Sequence, residues 1–439
     1  MLSLKETLLN RLPVANSYWL AFSGGMDSTV LLHLLVSIRE QLSGPIAAVH
    51  INHQMQAESA HWERKCSQVC LDLGVDFRGI AVTVPENNND SPESAARIAR
   101  YQALENCLPA NAALIMAHHE RDQAETFLLQ LLRGAGPKGL ASMPGVRRFA
   151  KGLLVRPLLA TAHLDLLKYA QKNNLVWIDD PSNELNTFDR NFLRHASLPS
   201  LRERWPSADR VIARSAGHMA EISELLADVA EADFARCQHT HADALSLAAV
   251  NKLSLPRQKN LFRFWVGLRN HLMPSQAVLG RVLNEILDSR EDATPLVCWS
   301  DAEIRRYRDA IYLQRPMPSF DGGRVYHWQP EQESELELMH GVLDAQKVEN
   351  PAAALAVAGK AFQVRFRQGG ETLKPVNRQQ THSLKSLFQE WGIPVWLRDR
   401  WPLIYLDDRL VAVAGCCVCE GFQAEADDPG IETIWNRSV

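Results

Sequence analysis

The sequence predicts an α/β protein: an N-terminal domain on a doubly wound parallel sheet, a helical middle domain and a small α+β C-terminal domain. Three observations predict it. Over roughly the first 180 residues, short apolar runs alternate with helical patterns, the rhythm of repeated βα units. Beyond Pro206 the strand signal fades into long helical periodicity. From about residue 355 short alternating segments return.

Residues 18–22 form the first candidate strand, followed by a glycine turn and a helix with Leu31, Leu32, Leu34 and Leu35 on its core side. A second strand is expected over 46–51, a helix over 60–73 that stops at Gly74, and a third strand over 77–84. A polar loop at 86–90 leads to Ser91-Pro92-Glu93, a helix start with proline at its first position. The fourth strand is expected at 113–117, feeding a helix through 123–132; a Gly/Pro-rich loop at 134–145 ends that unit. In the middle region Ile222, Leu225, Leu226 and Val229 recur at helical spacing. Residues 316–323 read as a linker, and the acidic stretch 331–337 as a cap on the middle domain or a solvated connector. In the last region 362–367 alternates as a strand and 384–391 reads as a short amphipathic helix. Residues 403–406 and 410–414 flank Asp407-Asp408-Arg409 as a hairpin. The expected domains are residues 1–206, 207–320 and 350–439.

At 439 residues the chain is too long for one ordinary domain. With 46% hydrophobic and 22% charged residues it can fill sizeable cores. No run of about 18 apolar residues suggests a membrane span. Residues 1–12 mix Lys5, Glu6 and Arg11 with leucines, as an amphipathic helix does and an export signal does not. The eight cysteines read as structural thiols of a reduced, cytoplasmic protein. A formal charge of −4 means that any nucleic-acid footprint must be local.

Ser23-Gly24-Gly25-Met26-Asp27-Ser28 stands between the first strand and the first helix. Two glycines let backbone N–H groups approach phosphate oxygens, two serines add hydroxyl donors, and the helix start favours an anion. Asp27 would repel phosphate unless Mg²⁺ bridged the two. The spacing is not that of a Walker A loop. After the fourth strand comes His118-His119-Glu120-Arg121-Asp122-Gln123-Ala124-Glu125-Thr126. Ends of neighbouring parallel strands share one crevice, so this segment should meet the phosphate loop there. Asp122 and Glu125, three apart, share a helix face. With Asp27 they could hold Mg²⁺ and orient an amine nucleophile. His118 and His119 read equally well as packed hinge histidines, and adjacent residues project apart too far to share a zinc ion. Arg97 and Arg100, also three apart on the preceding helix, either face the crevice or are solvated.

Taken in order, SGGMDS (23–28), ESAARIARY (93–101), HHERDQAET (118–126), LLRGAGPKGLASMP (131–144), RPLL (156–159), WIDDPSN (177–183) and DRNFLR (189–194) resemble the tRNA(Ile)-lysidine synthetases. That family belongs to the PP-loop ATP pyrophosphatase superfamily. VRFRQGGE (364–371) and SLKSLFQEWGIPVWLRDRWPLIY (383–405) are similar to its tRNA-contacting C-terminal domain. His195-Ala196-Ser197 and the cysteines of 416–419 depart from the pattern. The resemblance implies ATP and Mg²⁺, free L-lysine, and the minor isoleucine tRNA with a CAU anticodon as partner. It also implies that Ser23, Gly24, Gly25, Met26, Asp27 and Ser28 bind ATP, and that Asp27 and Asp122 serve metal and catalysis. Arg97 would contact the activated base or α-phosphate, and Glu125 the lysine or the metal.

Local basic segments offer tRNA surfaces. The expected contacts are Arg190, Arg194 and Arg202, then Arg365, Arg367, Lys385 and Arg398. Trp391, Trp396 and Trp401 either stack on nucleotides or pack the small domain's core. A tRNA thiolase of the same superfamily would need a persulfide cysteine or a cluster-binding pair; Cys66 and Cys70 lie one residue too far apart for C-x-x-C.

Overall fold

The N-terminal sheet is built from strands with apolar side chains on both faces. After α1 (Leu4–Leu9), strands β1 (Ser17–Ala21), β2 (Ile46–Asn52), β3 (Asp76–Ala81) and β4 (Ala112–Ile115) run parallel. They are joined by α2 (Met26–Ser37), α3 (Ser59–Asp72) and α4 (Pro92–Cys107). Then come α5 (Glu120–Leu132), α6 (Pro137–Leu140), the hairpin β5 (Val146–Phe149) and β6 (Gly152–Val155), and α7 (His163–Lys172). The sheet order is β3-β2-β1-β4-β6-β5, with β6 parallel to β4 and β5 an antiparallel edge. Alternate residues of β1 serve opposite cores: Tyr18 and Leu20 meet Leu31 and Leu35, while Trp19 and Ala21 meet Leu104 and Leu114. Helices cover both faces of such a sheet because neither can stay wet. The chain leaves β1 toward β2 on one side and returns to β4 on the other. The crevice between their carboxyl ends is therefore the topological switch point, where ligands of open α/β sheets bind.

This computed structural model describes residues 3–54, 56, 58–83, 92–179, 189–240, 244–290, 293–348, 354–376, 378–425 and 430–437. The polar loop expected at 86–90, Ser91 and residues 180–183 of the WIDDPSN stretch lie outside them. The chain divides into two units, Met1–Leu226 and Ala227–Val439. The first closes with α8 (Asp189–Phe192), a π-helical turn (Leu193–Ser197), α9 (Leu198–Arg204) and the beginning of α10 (Ala208–Cys237). Ile222, Leu225, Leu226 and Val229 on α10 each remain more than a third exposed.

In the second unit, β7 (Ala244–Ser246), α11 (Leu247–Val250), α12 (Leu255–Leu268) and α13 (Gln276–Arg281) precede β8 (Leu296–Trp299), β9 (Ala302–Tyr307) and β10 (Ala310–Gln314). The helices of the expected middle domain are thus joined by a four-stranded antiparallel sheet, β7-β10-β9-β8, that the sequence reading did not mark. Its helices and strands share one core around Phe262, Trp265, Ile304 and Ile311.

The chain continues through β11 (Tyr326–Trp328), β12 (Glu335–Leu338), β13 (Gly341–Lys347), β14 (Leu355–Ala356), β15 (Phe362–Arg365), β16 (Thr372–Leu373) and β17 (His382–Ser383). Then follow α14 (Leu384–Glu390), α15 (Val395–Arg398), β18 (Leu403–Leu406), β19 (Arg409–Val413), β20 (Cys417–Val418) and β21 (Gly430–Arg437). Three sheets result among the described residues, β11-β15-β18-β19-β20, β12-β13-β21-β14 and the two-stranded β16-β17. The acidic stretch is neither cap nor connector. It enters β12, where Leu336 and Leu338 turn inward and the glutamates outward. Because β13 pairs with β21 along its length, the last region draws strands from before residue 350. The expected hairpin forms, with Asp407 and Asp408 both at positive φ, as a two-residue I′ turn requires. Cys416 and Cys419 do stand at C-x-x-C spacing, but burial pushes their thiols up to about 12 and about 11. They pack as apolar side chains beside Trp401.

Candidate active site at the carboxyl ends of β1 and β4

The phosphate loop leaves β1 and becomes the N-terminus of α2. Gly25 is the N-cap and makes no side-chain capping bond, so the first N–H groups of this helix keep their donors for a ligand. Internal hydrogen bonds shape the loop: Ser28 Oγ donates to Gly25 O at 3.0 Å, and the Ser23 and Ser28 hydroxyls lie 3.1 Å apart. Gly24 has φ +82°, and a Cβ there would come within 2.7 Å of Cys66 Sγ and Ile178 Cδ1. The Ile178 N–H donates to Gly24 O at 2.9 Å, which ties the Trp177-Ile178 segment to the loop. The half-buried Met26 side chain packs against the core, which leaves its backbone N–H as what it could offer ATP.

His119 caps α5. Its backbone N–H donates to Asp122 Oδ2 at 2.9 Å, and its Nδ1 accepts from the Arg121 N–H at 3.1 Å. That bond leaves the ring proton on Nε2, which lies 3.4 Å from Asp27 Oδ2 and 3.6 Å from Asp122 Oδ2. Burial alone would lower the His119 pKa, but the Asp27 hydrogen bond and the Asp122 charge outweigh it and raise it. The carboxylates favour protonation, while the cap, which needs the Nδ1 lone pair, resists it. His118 is the opposite case. Burial, opposed by Asp122 and reinforced by Arg156, pushes it down to about 3. Arg156 Nε donates to its Nδ1 at 3.1 Å, so His118 is a neutral imidazole protonated on Nε2.

The later motifs are the braces of this site. Gln123 exchanges two hydrogen bonds with the Met143 backbone, at 2.9 and 3.0 Å, and Arg156 donates to Pro144 O at 2.9 Å. Arg190 reaches Glu125 and Asp122, both at 2.8 Å. Arg194 reaches Glu125 at 2.7 Å and Asp122 at 3.3 Å. Burial opposes ionisation of Asp122, yet His119 and Arg190 hold its carboxyl well below the usual range.

These contacts set the surroundings of each expected carboxylate. Glu125, expected on the lysine or the metal, is fully buried with both oxygens on arginines, so it positions Arg190 and Arg194. Asp122, expected to serve metal and catalysis, has one oxygen on those arginines and the other on the His119 N–H. Asp27 is different: its Oδ1 is buried without a hydrogen-bond partner. A carboxylate oxygen orphaned beside a phosphate loop fits a hard cation such as Mg²⁺, which usually takes one or two carboxylates and completes its shell with phosphate oxygens and water. Asp27, His119 and His163 also bring one donor atom each within 4.8 Å of one another, a set sequence reading missed because His163 belongs to α7.

Arg190 and Arg194, expected on tRNA, are committed to the carboxylates. Arg202 is paired with Asp209 at 2.8 Å. Arg398 turns inward, donating to Ile393 O at 2.9 Å and Tyr307 Oη at 2.8 Å, so it is structural. Arg365 pairs with Asp408, and Arg367 with Asp399 at 3.0 Å. Lys385 is exposed. Trp391 and Trp401 pack the core around Phe388, and Trp396 lies against Tyr307 and Tyr312. Arg97 is exposed with its guanidinium over the Tyr101 ring, not turned into the carboxylate cluster.

Residues 3–201 match a family model described as the PP-loop domain. Fold and site together define an ATP-using PP-loop enzyme. Residues 245–312 match the TilS substrate binding domain, and residues 362–435 the TilS substrate C-terminal domain. Among named relatives, the tRNA(Ile)-lysidine synthase of Coxiella burnetii is 42% identical over 97% of this chain and 93% of its own length. Those of Methylococcus capsulatus and Pectobacterium atrosepticum are 40% and 38% identical, covering 91% and 99% of this chain and 91% and 98% of theirs. The chain belongs to the tRNA(Ile)-lysidine synthase family.

Proposed function

We propose that this chain is a ligase that adenylates the wobble cytidine of the CAU anticodon in the minor isoleucine tRNA. It then joins free L-lysine to that base, releasing AMP and pyrophosphate. The carrying observation is the uncapped glycine loop facing an arginine-braced carboxylate cluster across the β1/β4 crevice. Backbone N–H groups from Met26 onward, the first turn of α2, would hold the pyrophosphate portion of ATP. Asp27 would hold Mg²⁺ beside it; the ion, when bound, offsets phosphate charge. The cytidine O2 attacks the α-phosphorus as the bond to pyrophosphate breaks. The lysine ε-amine, once neutral, then attacks C2, and the C2–O2 bond breaks with AMP as leaving group. Of the three carboxylates, Asp27 alone has an oxygen free of hydrogen bonds to meet the incoming groups. Asp122, held ionised, is a poor base and acts through His119 and the arginines.

Incubation with ATP, labelled lysine and transcripts of isoleucine and methionine tRNAs carrying CAU, followed by nucleoside analysis, tests this. Lysidine should form only in the isoleucine transcript. Asp27→Asn should lower pyrophosphate release about a hundredfold, the scale of losing one electrostatic contact to the transition state, with tRNA affinity retained. Intact tRNA binding by the parent enzyme with no modified nucleoside would refute the reading.

A further inference from the structure

Helix α4 and the edge strand β5 border a surface cleft of about 590 Å³ that no role described above uses. Arg97, Ile98, Tyr101, Glu105, Arg147 and Phe149 line it. The Arg97 Cζ lies 5.0 Å from the centroid of the Tyr101 ring. Arg147 lies 5.7 Å from the same centroid and 5.4 Å from that of Phe149. With the Arg100 Cζ at 5.9 Å, three cations gather about the Tyr101 ring, and Glu105 is the one acid among the described residues lining the cleft. A guanidinium over an aromatic face keeps its in-plane N–H donors, which suit phosphate oxygens. The cleft also adjoins residues of the site: the Tyr101 hydroxyl donates to Met116 Sδ at 3.7 Å, just beyond β4 and two residues before His118. Its helix α4 leads into β4, whose carboxyl end borders the crevice, and Arg147 on the edge strand β5 is exposed.

We propose that this cleft binds the RNA backbone of the anticodon loop next to the reacting cytidine, with Arg147 and Arg97 neutralising phosphate there. The proposal rests on the function given above. Its partner is a polyanionic single strand because guanidiniums rim the cleft while the rings of Tyr101 and Phe149 line it, a pairing that takes phosphate and base together.

The test uses the full-length enzyme with Arg147→Ala and Arg147→Lys, a CAU anticodon stem-loop RNA as probe, and a KCl series. Arg147→Ala should weaken stem-loop binding and raise the KM for tRNA by about five- to tenfold, with kcat and ATP affinity unchanged. The slope of log affinity against log salt should fall by about 0.7–0.9, the share of one phosphate contact. Arg147→Lys should recover most of both. Unchanged affinity and slope in Arg147→Ala would overturn the proposal, as would an equal loss of ATP affinity. If the parent makes lysidine while the Arg147 variants match it, only the cleft assignment fails. If the parent binds the stem-loop through Arg147 but makes no lysidine, the cleft stands and the proposed reaction fails.

Discussion

At the scale of single residues, the site is governed by which carboxylate is already occupied. Glu125 is fully buried and shared by two arginines, so Glu125→Gln leaves Arg190 and Arg194 partly unpaired. Breaking such a buried arrangement costs about 3 kcal/mol, the low end here because both arginines still reach solvent. Urea unfolding should show it, and Glu125→Asp should recover part of the loss. Unchanged stability would mean that the arginines are held by something else. His118 makes a pH prediction. The unfolded chain binds its proton near the ordinary 6.5, while the folded chain resists until about 3. Stability is thus lost as pH falls through that window, by up to about 1.4 kcal/mol per pH unit for one proton. His118→Asn keeps an acceptor for Arg156 but does not titrate. Between about pH 6 and about pH 4.5 it should lose less stability than the parent, and parallel curves would remove His118 from this role.

At the scale of elements, the loop between β1 and α2 is fixed from behind. Gly24→Ala meets two obstacles: a left-handed φ costing about 1–2 kcal/mol, and contact with Cys66 and Ile178. Together they should cost about 2–4 kcal/mol and weaken ATP binding. Adding Cys66→Ala opens space but leaves φ unchanged, so calorimetry should find partial rescue only. Full rescue would show that packing alone mattered. The same scale explains the unmarked middle sheet. Strands as short as Ala244–Ser246 carry too few alternating positions to stand out beside helices such as Leu255–Leu268. On α10 the apolar periodicity identified a helix correctly, yet its Ile222–Val229 stripe stays exposed. Periodicity reports conformation and not what covers a face.

At the scale of the whole molecule, the first unit has its own two cores on either side of its sheet. Ending the chain after Gln314 removes the three C-terminal sheets without cutting a β ladder among the described residues, whereas ending it near residue 350 would strip β21 from β13. The shorter chain should keep ATP affinity within about twofold while tRNA affinity falls about tenfold or more, since many weak phosphate contacts are lost together. Equal losses in an equilibrium titration would refute that division of labour.

The order of βα units, the phosphate loop and the HHERDQAET helix were legible in the residues themselves, because backbone freedom, helix starts and apolar period are local properties. So was the family, since its motifs follow one another along the chain. What each charged side chain does was not legible. Arg190, Arg194 and Arg398 read as surface cations, and only packing showed two closing on buried carboxylates and one turned inward to a carbonyl and a phenol. Asp27, Asp122 and Glu125 all carry a carboxylate. Their difference arises from partners 65 to 72 positions away, which a linear reading has no means to bring together. Charge acts through space, and the fold alone sets those distances.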